Sequence, residues 1–240
     1  MGELEVIILA GGLGKRMGDI TKHKPKPLLL YQGKPLIIRI IDSLYQYSNK
    51  VNIGVKYLKE QFEDIPYSYK KGNLHYLNKD TMIGNFFEIA YKCKSNYILG
   101  ISSDIVFDKQ LIEDAFKIWE SDDNKKCVNV FLTINKEQNY KRWRWSIENS
   151  ILKDIYVEDN STGYEKLFII FPVEILKKYT NDFMDNLGDN DKEYVEYSKY
   201  NKGWIYLIKR LVDSKITIKA HILKGNIKNI NRIDDLVHID

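Results

Sequence analysis

Val6-Ile7-Ile8-Leu9-Ala10-Gly11-Gly12-Leu13-Gly14-Lys15-Arg16, followed by Lys24-Pro25-Lys26-Pro27, decides how this chain is read. A short apolar run rich in β-branched residues reads as a buried strand. It empties into a glycine-dense turn, where backbone can approach a ligand closely and adopt positive φ. Successive N–H groups in such a turn form an anion-binding concavity. Arg16 can fork onto phosphate oxygens, and Lys26, held between two prolines, offers a point charge. The stretch therefore implies a cradle for a polyphosphate.

Spacing excludes two other phosphate loops. A Walker A loop needs Gly, four residues, then Gly-Lys-Ser/Thr, which the chain lacks. In a dinucleotide fingerprint, Met17 stands where the third glycine belongs, and Gly18 comes one residue late. The next predicted strand, residues 51–57, does not end in an acid that could hold a ribose. What fits is Leu-Ala-Gly-Gly-x-Gly-x-Arg over residues 9–16, then Pro25-Lys26, then Gly33-Lys34-Pro35-Leu36. This order resembles the signature of the nucleoside-triphosphate transferase family, which includes sugar-1-phosphate nucleotidyltransferases and phosphocholine-type cytidylyltransferases. The resemblance implies an α/β, Rossmann-like three-layer sandwich of the nucleotide-diphospho-sugar transferase type. Its central sheet would be mostly parallel, with a small antiparallel extension. The implied activity is Mg²⁺-dependent transfer of NMP from an NTP to a phosphorylated small acceptor, releasing pyrophosphate.

Composition agrees with a small-molecule enzyme. The 240 residues are 44% hydrophobic, enough for one large core, and the net charge of +4 is spread along the chain. So mild and diffuse a charge does not argue for nucleic acid. Cys93 and Cys127 form no disulfide framework or metal-ligand spacing and read as buried thiols. No signal peptide precedes the first strand, and no apolar run nears the ~20 residues of a membrane span. The expectation is a cytoplasmic protein binding an NTP, with CTP or GTP favoured, and a phosphorylated small molecule. No nucleic-acid or membrane partner is expected, and a homo-oligomer is left open.

Along the chain, strands alternate with amphipathic helices over residues 1–135, the nucleotide-binding core of a single domain spanning 1–240. Pro35 opens a helix carrying Leu36, Ile37, Ile40, Ile41 and Leu44 on one face. Further helices are predicted over 81–93 and 111–119, with strands at 97–101 and 128–134. Such alternation predicts a sheet covered on both faces, with ligands outside the strands' carboxyl ends. Residues 136–225 read as an acceptor-side insertion, with short strands at 142–147, 151–157 and 164–171, a polar loop at 180–190 and a packing helix over 193–212. Arg142-Trp143-Arg144-Trp145 reads as a strand with one face packed, or as an acceptor or interface surface. Residues 226–240 form a closing motif and C-terminal helix.

The resemblance assigns roles residue by residue. Leu9, Ala10, Gly11, Gly12, Gly14 and Lys15 would line the nucleotide. Arg16 would hold the β and γ phosphates, and Lys26 would meet charge building on the α-phosphate. Asp104, ending a strand opposite the turn, suits Mg²⁺, which takes one or two protein oxygens plus phosphates and waters. Asn231 aligns with the second metal position, though it could instead cap the final helix with Asp234 in the first turn. Asp108 reads as the cap of the helix that follows it. Gly84 and Asn85 lie where relatives touch the base. Glu165-Lys166 is too close to the next strand to match the pair that holds an acceptor phosphate in hexose-type relatives. The product would be an NDP-sugar for polysaccharide assembly, with CTP and phosphocholine as the alternative substrates. A non-catalytic nucleotide sensor would have less need of the metal carboxylate.

Overall fold

Strand β1 (Leu4–Leu9) is buried along its whole length. Leu4, Val6 and Ile8 enter one hydrophobic cluster, and Ile7 and Leu9 enter another on the opposite face. A strand buried on both faces needs cover on both. Helices α1 (Leu36–Leu44) and α3 (Lys109–Trp119) supply it on the first face, through Ile37, Ile40, Ile41, Leu111, Ile112 and Phe116. On the second face, α2 (Met82–Lys92) and α4 (Gly203–Asp213) pack through Phe86, Phe87, Ile89, Trp204, Leu207 and Leu211. The result is three layers. The computed structural model describes residues 4–48, 50–65, 72–79, 81–135, 142–158, 163–178 and 203–236.

In chain order the remaining strands are β2 (Leu30–Tyr31), β3 (Lys34–Pro35), β4 (Lys50–Val55), β5 (Gly72–Tyr76), β6 (Tyr97–Ser102), β7 (Ile105–Phe107), β8 (Val128–Asn135), β9 (Arg142–Glu148), β10 (Ile151–Glu158), β11 (Gly163–Pro172), β12 (Ile218–Leu223) and β13 (Ile227–Asn229). Among the described residues, the central sheet has nine strands in the order β5-β4-β1-β6-β11-β8-β12-β10-β9. Only β11 and β10 run against the common direction. The sheet is thus mostly parallel, and the β9–β10 hairpin forms the antiparallel extension at one edge.

One placement could not be read from local pattern. β11 comes from the segment read as an insertion, yet it lies between β6 and β8, antiparallel to both. Its run Leu167-Phe168-Ile169-Ile170-Phe171 is fully buried, as a central strand must be. Of the predicted helix over 193–212, the described part is α4; residues 193–202 and the loop at 180–190 lie outside the described residues. The closing motif is a short 3-10 turn, Ile233–Leu236, rather than an α-helix, and residues 237–240 lie outside the description. Trp145 is packed in the second cluster, while the side chains of Arg142, Trp143 and Arg144 lie outside the described residues. Among the described residues, no helix is long and apolar enough to cross a membrane.

Candidate active site

Register brings the ends of three strands together. Leu9 of β1 lies opposite Gly54 of β4 and Ser102 of β6. The chain therefore leaves the sheet at one rim toward Gly11, Lys56 and Asp104. Ala10 N donates to Gly54 O at 2.7 Å, tying the start of the turn to the sheet. Leu9 and Ala10 are buried. Gly14 sits at φ 63°, and a Cβ there would stand 3.0 Å from Thr21 Cγ2 and 3.2 Å from Lys26 Cβ. Glycine thus lets the turn fold onto the Lys26 segment. A Cβ on Gly11 would lie 2.8 Å from Leu77 Cδ1, whereas one on Gly12 would meet nothing within 4 Å. The Gly12 side of the turn is open space. The buried Thr21 hydroxyl donates to Gly14 O at 3.2 Å and Gly18 O at 3.1 Å, closing the loop. Lys15 and Arg16 project into solvent. Between them and the core, Met17 plugs into a third cluster with Leu29, Tyr31, Leu36 and Ile230.

Lys26 and Asp104 meet across this rim. Lys26 Nζ donates to Asp104 Oδ2 at 2.8 Å, with the Lys26 side chain 10% exposed and that of Asp104 33% exposed. Pro25 and Pro27 restrict the main chain around Lys26. Leu28 N and Leu29 N close a 3-10 turn onto Pro25 O and Lys26 O. The ammonium is therefore delivered from a rigid base.

Ile230 N donates to Asp104 O at 2.8 Å, and Asn229 of β13 pairs with Ile105 of β7. These bonds place Asn231 next to the Asp104 segment. The capping runs opposite to the expectation: Asn231 N and Arg232 N both donate to Asp235 Oδ2, at 2.7 and 2.8 Å. The Asp235 carboxylate closes this turn and leaves the Asn231 side chain out of it. Asp108 stands at the start of α3, but its side chain makes no cap bond. Among the described residues, no group of three or more His, Cys, Asp or Glu could hold a metal. A carboxylate and an amide oxygen form a hard, sparse donor set. That set fits Mg²⁺ bound chiefly through substrate phosphates, and it does not fit a closed structural metal site.

Lys166 joins the site from the middle of the sheet. Its Nζ is buried without a hydrogen-bond partner among the described residues and stands 5.0 Å over the Trp204 ring. Burial pushes its pKa down to about 8, against the pull of Asp104 and Glu165. Trp204 is fixed by its indole N–H, which donates to Ser102 Oγ at 3.1 Å, and by Gly100, where a Cβ would lie 2.3 Å from the ring. Glu165 accepts from Asn229 Nδ2 at 2.8 Å. Lys166 lies within β11, next to its fully buried run Leu167–Phe171, and that charged residue beside an apolar run was the usable signal.

Gly84 and Asn85 stand at the start of α2. Thr81 Oγ1 accepts from Gly84 N at 3.0 Å. The Asn85 amide engages Lys79 at both ends, donating to Lys79 O and accepting from Lys79 N, each at 3.0 Å. Asn85 therefore shapes the 77–79 wall facing Gly11. Lys56 Nζ, also donating to Lys79 O, braces that wall at 3.2 Å.

The chain is 22% identical over 218 residues to bifunctional protein GlmU of Methanococcus vannielii, covering 82% of this chain and 51% of that protein. It is 30% identical over 141 residues to choline-phosphate cytidylyltransferase of Streptococcus pneumoniae, covering 58% of this chain and 57% of the relative. The matches thus span little more than half of these relatives' lengths. UDP-glucose pyrophosphorylase complexed with UDP-glucose superposes with a TM-score of 0.73 at 16% identity, covering 98% of this chain and 96% of that one, and so shares the fold. Residues 6–150 match the MobA-like NTP transferase domain, and the chain belongs to that family of nucleotidyltransferases.

Proposed function

We propose that the protein transfers NMP from an NTP to a phosphorylated small acceptor, a sugar 1-phosphate, with Mg²⁺ bound at Asp104 and Asn231. The observation that carries this reading is the Lys26–Asp104 contact at the rim where the glycine turn leaves the sheet. The turn's N–H groups and Arg16 would hold the triphosphate. An oxygen of the acceptor's phosphate forms a bond to the α-phosphorus, and the bond from that phosphorus to the bridging oxygen of the β-phosphate breaks. Pyrophosphate leaves with the electron pair. The attacking oxygen is already anionic, so no general base is required. Bound Mg²⁺ would supply neutralisation of phosphate charge. Lys26, placed by its proline-restricted turn, would stabilise charge developing at the α-phosphate. Lys166 would hold the acceptor's phosphate, since a buried ammonium without a hydrogen-bond partner among the described residues is suited to an anion.

The tryptophan face beside Asp104 already carries the Lys166 ammonium. That disfavours an acceptor whose quaternary ammonium would need the same face. The alternative is CTP-dependent transfer to phosphocholine or another non-sugar phosphate, and the likeness to choline-phosphate cytidylyltransferase supports it. Pyrophosphate release from four NTPs against sugar 1-phosphates and phosphocholine tests both. Release with a sugar 1-phosphate supports the first reading, and release with phosphocholine alone replaces it. No release with any pair would refute transferase activity on these acceptors.

A further inference from the structure

In the proposed reaction Lys26 and Asp104 have separate duties, one on the α-phosphate and one on the divalent cation. In the structure each is engaged by the other. Lys26 Nζ lies 2.8 Å from Asp104 Oδ2, and the ammonium is largely shielded from water. Such a charge-assisted bond is stronger than a neutral one. Lys166 adds a second ammonium whose charge is felt at Asp104. A bare divalent cation reaching Asp104 must therefore compete with an ammonium for the carboxylate and approach two positive charges. A bare triphosphate must detach Lys26 from a carboxylate and leave that carboxylate facing it. When the two ligands arrive together, Asp104 turns to the cation and Lys26 to the phosphate, and no charge is left uncompensated. Only side-chain torsions of Lys26 need change, because its main chain is held by Pro25 and Pro27.

We propose that the Lys26–Asp104 ion pair is a latch that makes cation binding and triphosphate binding depend on each other. The proposal rests on the roles given to these residues above. Linkage requires the coupling to be reciprocal. Breaking the latch from either side must therefore improve binding of the ligand that competes for the freed partner.

Two binding measurements test this without turnover. Mn²⁺ alone is titrated by electron paramagnetic resonance into wild type and Lys26→Met. Inorganic tripolyphosphate, which avoids choosing a base, is titrated by calorimetry in EDTA into wild type and Asp104→Asn. The double variant gives the baseline for adventitious surface sites. Lys26→Met should bind Mn²⁺ on the order of tenfold tighter than wild type, within the usual range of coupling between sites. Asp104→Asn should gain affinity for tripolyphosphate by a similar factor, although it loses a proposed metal ligand. A gain counts only at one site per chain in a variant whose circular dichroism matches wild type, since a misfolded chain would add weak sites. No gain in either variant overturns the latch, and a gain in only one overturns its mutual form. Pyrophosphate release by the wild type is read separately, so failure of the latch and failure of the transferase reading remain distinct.

Discussion

Lys26 Nζ and Asp104 Oδ2 are separated by 78 residues in sequence and by 2.8 Å in space. This contact joins the proline-flanked turn after the glycine loop to the turn that follows the central strand β6. It marks the place proposed above for a triphosphate and its counter-ion. Lys26→Ala should lower kcat by about 10²–10³, the usual loss when one preorganised charge-stabilising donor is removed. Circular dichroism should report an unchanged fold. Full turnover in the folded variant would remove Lys26 from the chemistry.

Asp104→Ala should abolish Mg²⁺-dependent turnover while leaving the fold intact, since the side chain is one-third exposed and lies in the turn between β6 and β7 rather than packing the core. The check is a Mg²⁺ titration of activity beside a thermal melt. A normal titration curve would move the cation elsewhere.

Lys166→Met keeps the length and most of the volume of the side chain and removes its charge. The KM for the phosphorylated acceptor should rise about tenfold or more, as expected when a charged hydrogen bond is lost. The KM for the NTP should stay within about twofold of wild type. A change confined to the NTP would show that Lys166 serves the triphosphate instead.

Gly14→Ala places a Cβ at φ 63°, 3.0 Å from Thr21 Cγ2 and 3.2 Å from Lys26 Cβ. Backbone strain of this kind costs about 1–3 kcal/mol. Chemical denaturation should show a loss of that order, and the KM for the NTP should rise because the loop and Lys26 are displaced together. Unchanged stability and KM would mean that the turn does not need glycine here.

These sites differ in how far they can be read from sequence. The glycine turn, α1 and the end of β6 are local features: each is an apolar run with its punctuation, or a helical face, contained within about a dozen consecutive residues. Asp104 was legible because the buried run 98–101 visibly stops before it. The place of β11 depends on pairing with strands far away in the chain, which no periodicity encodes. The strand itself was legible over 164–171, but the approach of Lys166 to Asp104 was hidden with the strand's place in the sheet. Asn231 is brought beside the Asp104 segment by the β13–β7 pairing and the Ile230–Asp104 bond, and its local sequence suggested a cap where Asp235 instead accepts the backbone N–H groups. The attachment of Asn85 to Lys79 needs the loop to fold back, which a reading of α2 alone cannot show.

His221, away from the rim, gives a pH test of the second half of the sheet. Its Nε2 lies 2.9 Å from Asn129 Oδ1, and its ring stacks on Phe131 at 4.9 Å between centroids. The Asn129 amide donates to Asn124 O and Cys127 O, so its oxygen accepts and Nε2 carries the proton. Burial, then the nearby Lys219 charge, push the His221 pKa down to about 4. The unfolded chain takes up a proton near its ordinary value of ~6.5, so the stability contribution is complete above that pH. It is lost as pH falls from there toward 4. Allowing for partial exposure, the loss is about 1–2 kcal/mol. His221→Gln, which can still donate to Asn129, should flatten that part of the stability–pH curve. An unchanged slope would assign it to other groups.

The most direct measurement of the central claim is a crystal structure with Mn²⁺ and a non-hydrolysable NTP analogue, read by anomalous scattering. The expected result is a manganese peak bonded to Asp104, with the triphosphate lying along the Gly11–Gly14 turn and Lys26 turned from the carboxylate to the α-phosphate. A nucleotide bound elsewhere, or a cation at this rim that does not touch Asp104, would contradict the account.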